Sequence, residues 1–298
     1  MHTNSVRTQR IAGKMVANEP LWFRILLISL CYLIALILII VPLIYVFVQA
    51  FSEGVSGWWK NIFLDAETRH SVLMTLMVVP MAVILNSVCG LAAAWTITKF
   101  KFPGRAFLMT ALDLPFAVSP VVAGLMLVLL YNVRNGYLAP VLNYFDIKII
   151  FAWPGLVLAT TFVTIPFVAR ELIPLMQALG DDEELAAVSL GASPWQIFWR
   201  VTLPNIKWGL LFGIIQCNAR AIGEFGAVYV VSGRIERETY TMALRVEKLF
   251  QDYNNPGSYA VASVLTLMAL STLILKVVLE RMVAASMNEV THKTGEHS

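Results

Sequence analysis

Long apolar runs separated by short polar segments dominate the hydrophobicity pattern of this 298-residue chain. A helix needs about 20 mostly apolar residues, at about 1.5 Å of rise each, to cross a hydrocarbon core of roughly 30 Å. We predict that six runs form membrane-spanning helices, because lipid offers no hydrogen-bond partner to backbone amides. The predicted spans are residues 25–51, 71–98, 107–131, 153–169, 208–231 and 258–279.

The composition agrees with a membrane protein. Hydrophobic residues make up 58% of the chain and charged residues 14%, and the mean hydropathy is +0.71. Soluble domains contain about 45–50% apolar and about 25% charged residues. The net charge of +3 is too small to indicate a nucleic-acid partner. We therefore predict an all-α polytopic membrane protein with about six transmembrane helices.

The distribution of lysine and arginine predicts the orientation in the membrane. With the N-terminus in the cytoplasm, the inner segments hold 13 of these residues and the outer loops hold 8. The inner loop from Lys99 to Arg105 is basic and contains no acid, as the positive-inside rule requires. We expect both termini to be cytoplasmic, with residues 1–24 and 280–298 flanking a transmembrane domain at 25–279.

The connection between the fourth and fifth predicted spans contains local helix signals. Asp181 suits the N-cap of a first helix, with Glu184 as its capping-box partner. Gly191 suits a left-handed C-cap, and Ser193 suits the N-cap of a second helix. Pro204 is expected to end that second helix before the fifth span. The pattern predicts two short helices, hinged at Gly191, that project into the cytoplasm.

Segment 181–204 is unusually apolar for a cytoplasmic connection, so another surface must cover its side chains. The membrane interface, which favours tryptophan, and a groove on a partner protein both fit this pattern. The apolar residues are Leu190, Trp195, Ile197, Phe198, Trp199, Val201 and Leu203.

The pattern Ala186-Ala-x-x-x-Gly191, followed by Leu203-Pro204, resembles the "EAA" loop of ABC importer permeases. The glutamate of that family would fall at position 185, which is Leu185 here, and Glu184 faces about 100° away from it on a helix. Asp181 precedes Leu185 by four residues, on the same helix face. The resemblance implies that an ATPase subunit, which binds ATP and Mg, contacts this segment. The residues implied in coupling are Glu184, Ala186, Ala187, Gly191, Trp195, Trp199, Leu203 and Pro204.

Further motifs resemble the sulfate/thiosulfate permease group, and the stretch ending Gln251-Asp-Tyr-Asn254 resembles its W-type subunit. The resemblance implies an ABC type I importer permease fold in a bacterial inner membrane. It also implies a T-type second permease, two ATP-binding cassette subunits and a periplasmic sulfate/thiosulfate-binding protein. Molybdate permeases share the Arg-x-x-Gly-Glu-Phe-Gly pattern, so molybdate or tungstate is the alternative cargo. The motifs are Lys101-Phe-Pro-Gly-Arg105, Asp113-Leu-Pro-Phe-Ala-Val-Ser-Pro-Val-Val-Ala-Gly124, Pro166-Phe-Val-Ala-Arg-Glu-Leu-Ile-Pro174 and Asn218-Ala-Arg-Ala-Ile-Gly-Glu-Phe-Gly-Ala227.

Two charged residues lie inside the fifth predicted span. Arg220 and Glu224 are four residues apart on one helix face, near the middle of the membrane, where an ionisable side chain is costly. One interpretation places Arg220 on an electropositive path for a divalent anion. The other makes the two residues a structural or gating pair, with Gly223 and Gly226 allowing close packing. The adjacent acid favours the second interpretation, because it cancels much of the field that an anion would meet.

The third predicted span contains two prolines. Pro115 and Pro120, with Ser119 before the second, release backbone carbonyls that protein or a water-filled cavity must satisfy. A broken helix lining the transport path and an ordinary packing kink both fit. Asp113 is a poor anion ligand, and we expect it to pair with a basic group.

The outer loop after the fifth span contains Met242, Val246, Leu249 and Phe250 at helical spacing. This spacing predicts a short amphipathic helix. The helix would either receive the binding protein or rest on the bilayer surface.

The sequence argues against an enzyme and against a secondary transporter. The four histidines (His2, His70, His292 and His297) lie outside the predicted spans, and no cluster of cysteine, histidine and carboxylate predicts a catalytic or metal site. A GxxxxGK[ST] phosphate-binding motif does not occur, so ATP hydrolysis is assigned to another chain. A secondary anion transporter would not explain segment 181–204.

Overall fold

The structure, a computed structural model, describes residues 20–295, with side chains to Met282. The described chain is almost entirely helical, as predicted; the predicted terminal segments extend beyond it at 1–19 and 296–298. The helices are α1 (Leu21–Ala50), α2 (Gly54–Trp59, continued by a π-helical turn, Lys60–Leu64), α3 (Ala66–Lys99), α4 (Arg105–Ala117), α5 (Pro120–Tyr131), α6 (Ala139–Tyr144), α7 (Trp153–Leu179), α8 (Asp182–Ser189), α9 (Pro194–Ile197, continued by a π-helical turn, Phe198–Thr202), α10 (Leu203–Ile222), α11 (Gly226–Ser232), α12 (Met242–Gln251) and α13 (Asn255–Gly295).

The chain divides into two compact units, Met1–Gln49 and Ala50–Ser298. In the first unit the described residues form most of α1, whose regular winding is interrupted by a π-helical turn at Leu36–Ile40. Pro42 follows two residues later. A proline has no amide hydrogen and collides with the carbonyl four residues earlier, and the wider turn accommodates it without ending the helix.

Four of the six predicted spans are confirmed as long apolar helices. Among the described residues, α1, α3, α7 and α13 are long and apolar enough to cross a membrane. Helix α7 continues well beyond the predicted end of the fourth span at residue 169. Pro166 and Pro174 are tolerated inside the helix. The helix ends only at Gly180, which has a φ of +71°.

The prediction of a single third helix at 107–131 is wrong. The chain bends by 112° between α4 and α5. Val118 and Ser119 are extended, because Pro120 disfavours helical geometry in the residue before it and cannot donate a hydrogen bond to α4. Pro120 is the first residue of α5, a position where its missing amide hydrogen costs nothing.

The prediction of a single fifth helix at 208–231 is also wrong. Helix α10 ends at Ile222, and α11 begins at Gly226. The buried side chain of Glu224 explains the second start, because its Oε1 accepts a hydrogen bond from the Ala227 amide at 3.1 Å. A free amide at the beginning of α11 is thereby satisfied by a carboxylate, which the helix dipole also favours.

The core is formed where α3, α7 and α10 pack against one another. Val168 on α7 lies between two glycines: a Cβ added at Gly90 would be 2.8 Å from the Val168 Cβ, and one added at Gly213 would be 3.1 Å from its Cα. On the same helices, the buried Asn86 amide donates to Thr164 Oγ1 at 2.6 Å and to Cys217 Sγ at 3.5 Å. Small residues therefore let the three backbones approach closely, and the Asn86 side chain links all three helices.

The two helices that follow the breaks pack against each other. A Cβ added at Gly124 on α5 would lie 2.7 Å from the Ala227 oxygen on α11. A Cβ added at Gly226 would lie 2.9 Å from the Pro120 Cβ. The predicted close packing at Gly226 is therefore confirmed. The predicted packing at Gly223 is wrong, because a Cβ there would meet nothing within 4 Å.

The predicted amphipathic helix in the outer loop is confirmed as α12. Met242 and Leu249 are buried against α3 and α13, so protein covers much of its apolar side, whereas Phe250 is exposed. The buried guanidinium of Arg245 lies 2.8 Å from Asp65, at the start of α3, and also pairs with Glu67. We call Asp65, Glu67 and Arg245 the Arg245 cluster, which joins α12 to the beginning of α3.

The Asp65 carboxyl of the Arg245 cluster has a shifted pKa. Its burial alone would raise its pKa, but hydrogen bonds from Thr68 and Arg245 outweigh burial and hold the pKa below the ordinary 3.8. Because the pKa is lower in the folded than in the unfolded protein, the stabilisation is complete above pH of about 4. It is lost as the pH falls through the folded-state pKa.

Replacing Arg245 with methionine (Arg245→Met) is expected to destabilise the protein by about 2 to 3 kcal/mol, because it leaves two partly buried carboxylates without a counter-charge. The control is Lys248→Met on the same helix, whose pair with Glu236 is more exposed and is expected to contribute much less to stability. Thermal unfolding in detergent at pH 7 measures both. Equal effects of the two variants would contradict the role of the Arg245 cluster.

The crossing of α5 and α11 gives a second prediction. Gly226→Ala is expected to lower the thermal stability by about 1 to 3 kcal/mol, because its methyl group would collide with Pro120. Gly223→Ala, three residues away, has open space and is expected to be neutral or slightly stabilising. Unfolding of both variants in detergent is the measurement, and a loss of stability in Gly223→Ala alone would refute the packing.

Candidate coupling segment and polar residues of the bundle

The glycine hinge of segment 181–204 is formed by α8 and the turn after it. Gly191 has a φ of +81°, a left-handed conformation that favours glycine. The Gly191 amide donates to the Val188 carbonyl at 2.9 Å, and the Ala192 amide donates to the Ala187 carbonyl at 3.0 Å. These two bonds form a Schellman motif, so the predicted C-cap is confirmed.

The predicted second capping box is also confirmed. The Ser193 amide donates to Gln196 Oε1 at 2.9 Å, and the Gln196 amide donates to Ser193 Oγ at 3.4 Å. Pro194 occupies the first position of α9. Ser193 therefore fixes where α9 begins, one residue after the Schellman motif of α8.

The predicted capping box at Asp181 and Glu184 is wrong. The Asp181 side chain makes no capping hydrogen bond, and instead lies 2.7 Å from the ammonium group of Lys99. Glu184 lies 2.8 Å from the same ammonium group and accepts a hydrogen bond from Thr202 Oγ1 at 2.6 Å. A charged donor forms a stronger bond with a carboxylate than a neutral amide does, which explains the change of partner.

The prediction that Pro204 separates the second helix from the fifth span is wrong. Helix α9 continues through the π-helical turn Phe198–Thr202 directly into α10. The Leu203 amide donates to the Phe198 carbonyl, five residues earlier, and this wider turn accommodates Pro204 as it does Pro42 in α1. The backbone of α9 is therefore continuous with that of α10.

The apolar residues of the segment divide into a packed group and an exposed group. Ile197 is buried, Phe198 stacks on Trp95 with ring centroids 4.4 Å apart, and Leu203 packs into the core. Ala187 is half-buried, whereas Ala186 is exposed. The exposed large apolar side chains, which we call the docking surface, are Leu185, Val188, Leu190, Trp195 and Trp199.

The docking surface consists of exposed apolar side chains from α8, α9 and the turns that follow them. Leu190 is 89% exposed and Trp195 is 69% exposed. The rings of Trp195 and Trp199 pack edge to face with centroids 5.5 Å apart. An apolar surface on two capped helices is typical of a protein interaction site.

The predicted Arg220–Glu224 pair exists, but it spans the break between α10 and α11. Arg220 Nη1 lies 2.7 Å from Glu224 Oε2, in an ion pair rather than an aligned hydrogen bond. The Glu224 side chain is 1% exposed and the Arg220 side chain 36% exposed. Arg220 lies in the last turn of α10, where a positive charge is also favoured by the helix dipole.

Asp113 pairs with a basic group, as predicted, and the partner is Arg170. The Arg170 Nε donates to Asp113 Oδ1 at 2.7 Å, and the guanidinium lies 4.4 Å from the centre of the Phe116 ring. Sequence reasoning placed Arg170 outside the membrane, because it ended the fourth span at residue 169. Gly180 is the first glycine after the apolar run, and it was the available signal for the true end of the helix.

The remaining predicted residues lie at or near the first break. Pro115 is buried within α4, and the exposed Ser119 precedes α5 without making a capping hydrogen bond. Pro120 is the residue that meets Gly226. The fold therefore brings the break after α4 and the break after α10 together.

Over the described range, no group of three or more His, Cys, Asp and Glu side chains could hold a metal ion.

Comparisons with known proteins agree with this geometry. Residues 86–285 match the family model for the binding-protein-dependent transport system inner membrane component. The chain is 51% identical to the sulfate transport system permease protein CysW of Escherichia coli (strain K12), over 87% of this chain and 88% of that protein. It is 36% identical to the CysT permease of the same strain, over 77% of this chain and 82% of that protein.

A solved structure shares the fold. The bacterial alginate ABC transporter, in complex with its alginate pentasaccharide-bound periplasmic protein, contains a chain that matches with a TM-score of 0.74 and 17% identity. The match covers 91% of this chain and 97% of that one. The predicted permease fold and the predicted resemblance to the sulfate permeases are thereby confirmed. This chain belongs to the binding-protein-dependent transport system inner membrane component family, in the group of the sulfate permeases.

Proposed function

We propose that this chain is the W-type permease subunit of an ATP-driven importer of sulfate or thiosulfate, which crosses a bacterial inner membrane several times. The docking surface carries the proposal, because it presents an uncovered apolar patch on helices that continue into the bundle. The sulfate cargo is supported by the relatives that are named sulfate permeases. This cargo is favoured over molybdate and tungstate.

The proposed assembly contains a T-type permease, two ATP-binding cassette subunits and a periplasmic sulfate/thiosulfate-binding protein. The T-type partner is supported by the relationship of this chain to both CysW and CysT permeases. ATP and Mg are assigned to the ATPase subunits, since this chain has no GxxxxGK[ST] motif. In this proposal the chain itself catalyses no reaction.

We propose that both termini are cytoplasmic. The basic end of α3 at Lys99 and the docking surface belong to one end of the bundle, because Lys99 contacts Asp181. The Arg245 cluster belongs to the other end, at the start of α3. The positive-inside rule places the Lys99 end in the cytoplasm, where the ATPase subunits would bind.

The polar residues near the breaks are proposed to form the transport path and its gate. Glu224 holds the start of α11, and Arg220 neutralises it while remaining partly exposed. Asp113 and Arg170 form a second half-exposed pair. Such pairs inside a membrane bundle normally face a polar cavity or another protein.

The test of the function is reconstitution in proteoliposomes with the four partner subunits. ATP-dependent uptake of radiolabelled sulfate is expected, and omission of the ATPase is expected to abolish it. Uptake driven by an ion gradient without the ATPase would instead identify a secondary transporter. Competition by molybdate stronger than by thiosulfate would overturn the sulfate assignment.

Negative charges on the docking surface are expected to weaken ATPase binding. Leu190→Glu and Trp199→Glu would each bury a carboxylate in an apolar interface and reduce the affinity at least about tenfold, or about 1.4 kcal/mol. Phe250→Glu, at an exposed side chain of α12 at the other end of the bundle, is the control and is expected to leave the affinity unchanged. Titration of the solubilised permease with the ATPase measures the binding. Unchanged affinity in both docking variants would refute the assignment of the surface.

The Arg220–Glu224 pair is expected to behave as one structural unit. Arg220→Ala leaves a buried carboxylate without its counter-charge and is expected to cost about 3 kcal/mol of stability. The double variant with Glu224→Gln removes that charge and keeps an oxygen for the Ala227 amide, and is expected to recover at least half of the lost stability and some transport. Recovered stability with no recovered transport would show instead that Arg220 contacts the anion.

A further inference from the structure

The ammonium group of Lys99 lies at the junction of three parts of the chain. It is 2.7 Å from Asp181 Oδ1 and 2.8 Å from Glu184 Oε2, and it donates to the Gly180 carbonyl at 3.2 Å. A lysine has three N–H donors, and these three oxygens lie within 3.2 Å of its nitrogen. Its side chain is only 12% exposed. Lys99 is the last residue of α3. Gly180 and Asp181 lie between α7 and α8, and Glu184 lies in the first turn of α8.

The carboxylate of Glu184 extends this junction to a fourth element. While Oε2 faces Lys99, Oε1 accepts from the hydroxyl of Thr202 at 2.6 Å. Thr202 is buried in the π-helical turn that continues into α10. One turn further along, Asn205 donates to Glu183. Lys99, Asp181, Glu184 and Thr202, which we call the Lys99 cluster, thus fasten the start of α8 to α3 and α10.

The ion pairs of Lys99 with Asp181 and Glu184 distinguish it from an ordinary surface lysine. Asp181 lies at the N-cap position of α8 but points away from the free amides of that helix and toward Lys99. Lys101, two residues along the same loop, is exposed. The Lys99 and Glu184 side chains are 12% and 21% exposed, whereas the Asp181 side chain is 65% exposed. The Lys99–Glu184 pair therefore resists separation more than an exposed pair does, because water competes less for its charges.

Helix α3 connects the Lys99 cluster to the opposite end of the bundle. It contains 34 residues, a length of about 50 Å at 1.5 Å per residue. At its other end, Asp65 accepts from the Thr68 amide at 3.1 Å and pairs with Arg245 on α12. A displacement of α8 would therefore act directly on a helix whose far end is fastened to the outer loop.

We propose that Lys99 is a positioning residue of the transport cycle: by holding α8 against the end of α3, it converts movement of the docking surface into movement of the bundle. This role rests on the proposed function, because it requires that an ATPase moves α8. Loss of the Lys99 cluster leaves the docking surface intact, so ATP hydrolysis continues while transport falls.

The experiment uses the reconstituted complex and measures the number of ATP molecules hydrolysed per sulfate imported. Lys99→Met is expected to raise this ratio at least fivefold, with at least half of the ATPase activity retained. Lys101→Met is the matched control and is expected to leave the ratio unchanged. Lys99→Arg, which keeps a positive charge beside Asp181 and Glu184, is expected to retain at least half of the coupling. Hydrogen exchange of the amides of residues 182–189 reports whether α8 is loosened.

The possible outcomes separate the two proposals. Faster exchange in α8 together with a raised ratio in Lys99→Met supports the positioning role. Faster exchange with an unchanged ratio shows that the cluster only stabilises α8 locally, and unchanged exchange shows that Lys99 does not hold α8; either result overturns the role. Absence of ATP-dependent uptake by the unsubstituted complex overturns the proposed function itself.

Discussion

The buried carboxylate of Glu224 is the interaction on which the arrangement of the bundle depends. A helix that begins inside an apolar region leaves its first backbone amides without partners, and each unpaired group is costly. Glu224 satisfies the Ala227 amide, which allows α11 to begin only a few residues after α10 ends. The charge that this brings into the bundle requires Arg220, and the pair lies where α11 crosses α5. One backbone requirement therefore explains both the charged pair and the position of the second break.

Hydropathy and local capping rules predicted the features whose causes are local in sequence. The four long apolar helices follow from run length alone, and the caps at Gly191 and Ser193 follow from contacts within a few residues. The missed features depend on residues far apart in the chain. Asp181 leaves its predicted cap because Lys99, 82 residues earlier, offers a charged donor. Arg170 was assigned to a loop because the end of α7 is set at Gly180 and not at the last apolar residue.

The prolines show a second limit of sequence reasoning. Pro204 was expected to end a helix, and Pro120 was expected to bend or break one. Pro120 follows two extended residues at a break of 112°, whereas Pro204 is preceded by a π-helical turn and the helix continues. Both outcomes remove the same clash with the preceding turn. Packing decides between them: Phe198 is held by Trp95 and Thr202 by Glu184, so the turn before Pro204 stays helical.

The exact positions of the acidic residues in α8 determine which side chains segment 181–204 presents to a partner. Consecutive positions on a helix point about 100° apart, so an acid at 184 and an acid at 185 face different surroundings. Here Glu184 faces Lys99 and Thr202, and Leu185 is exposed beside the other apolar side chains of the docking surface. The acid that is turned inward can stabilise the position of α8 without contributing charge to the interface. The exposed leucine extends the apolar area that a partner can cover. In the proposed assembly, this shift of one residue would separate two tasks of the segment: charge pairing would hold α8 in place, and apolar contact would bind the partner.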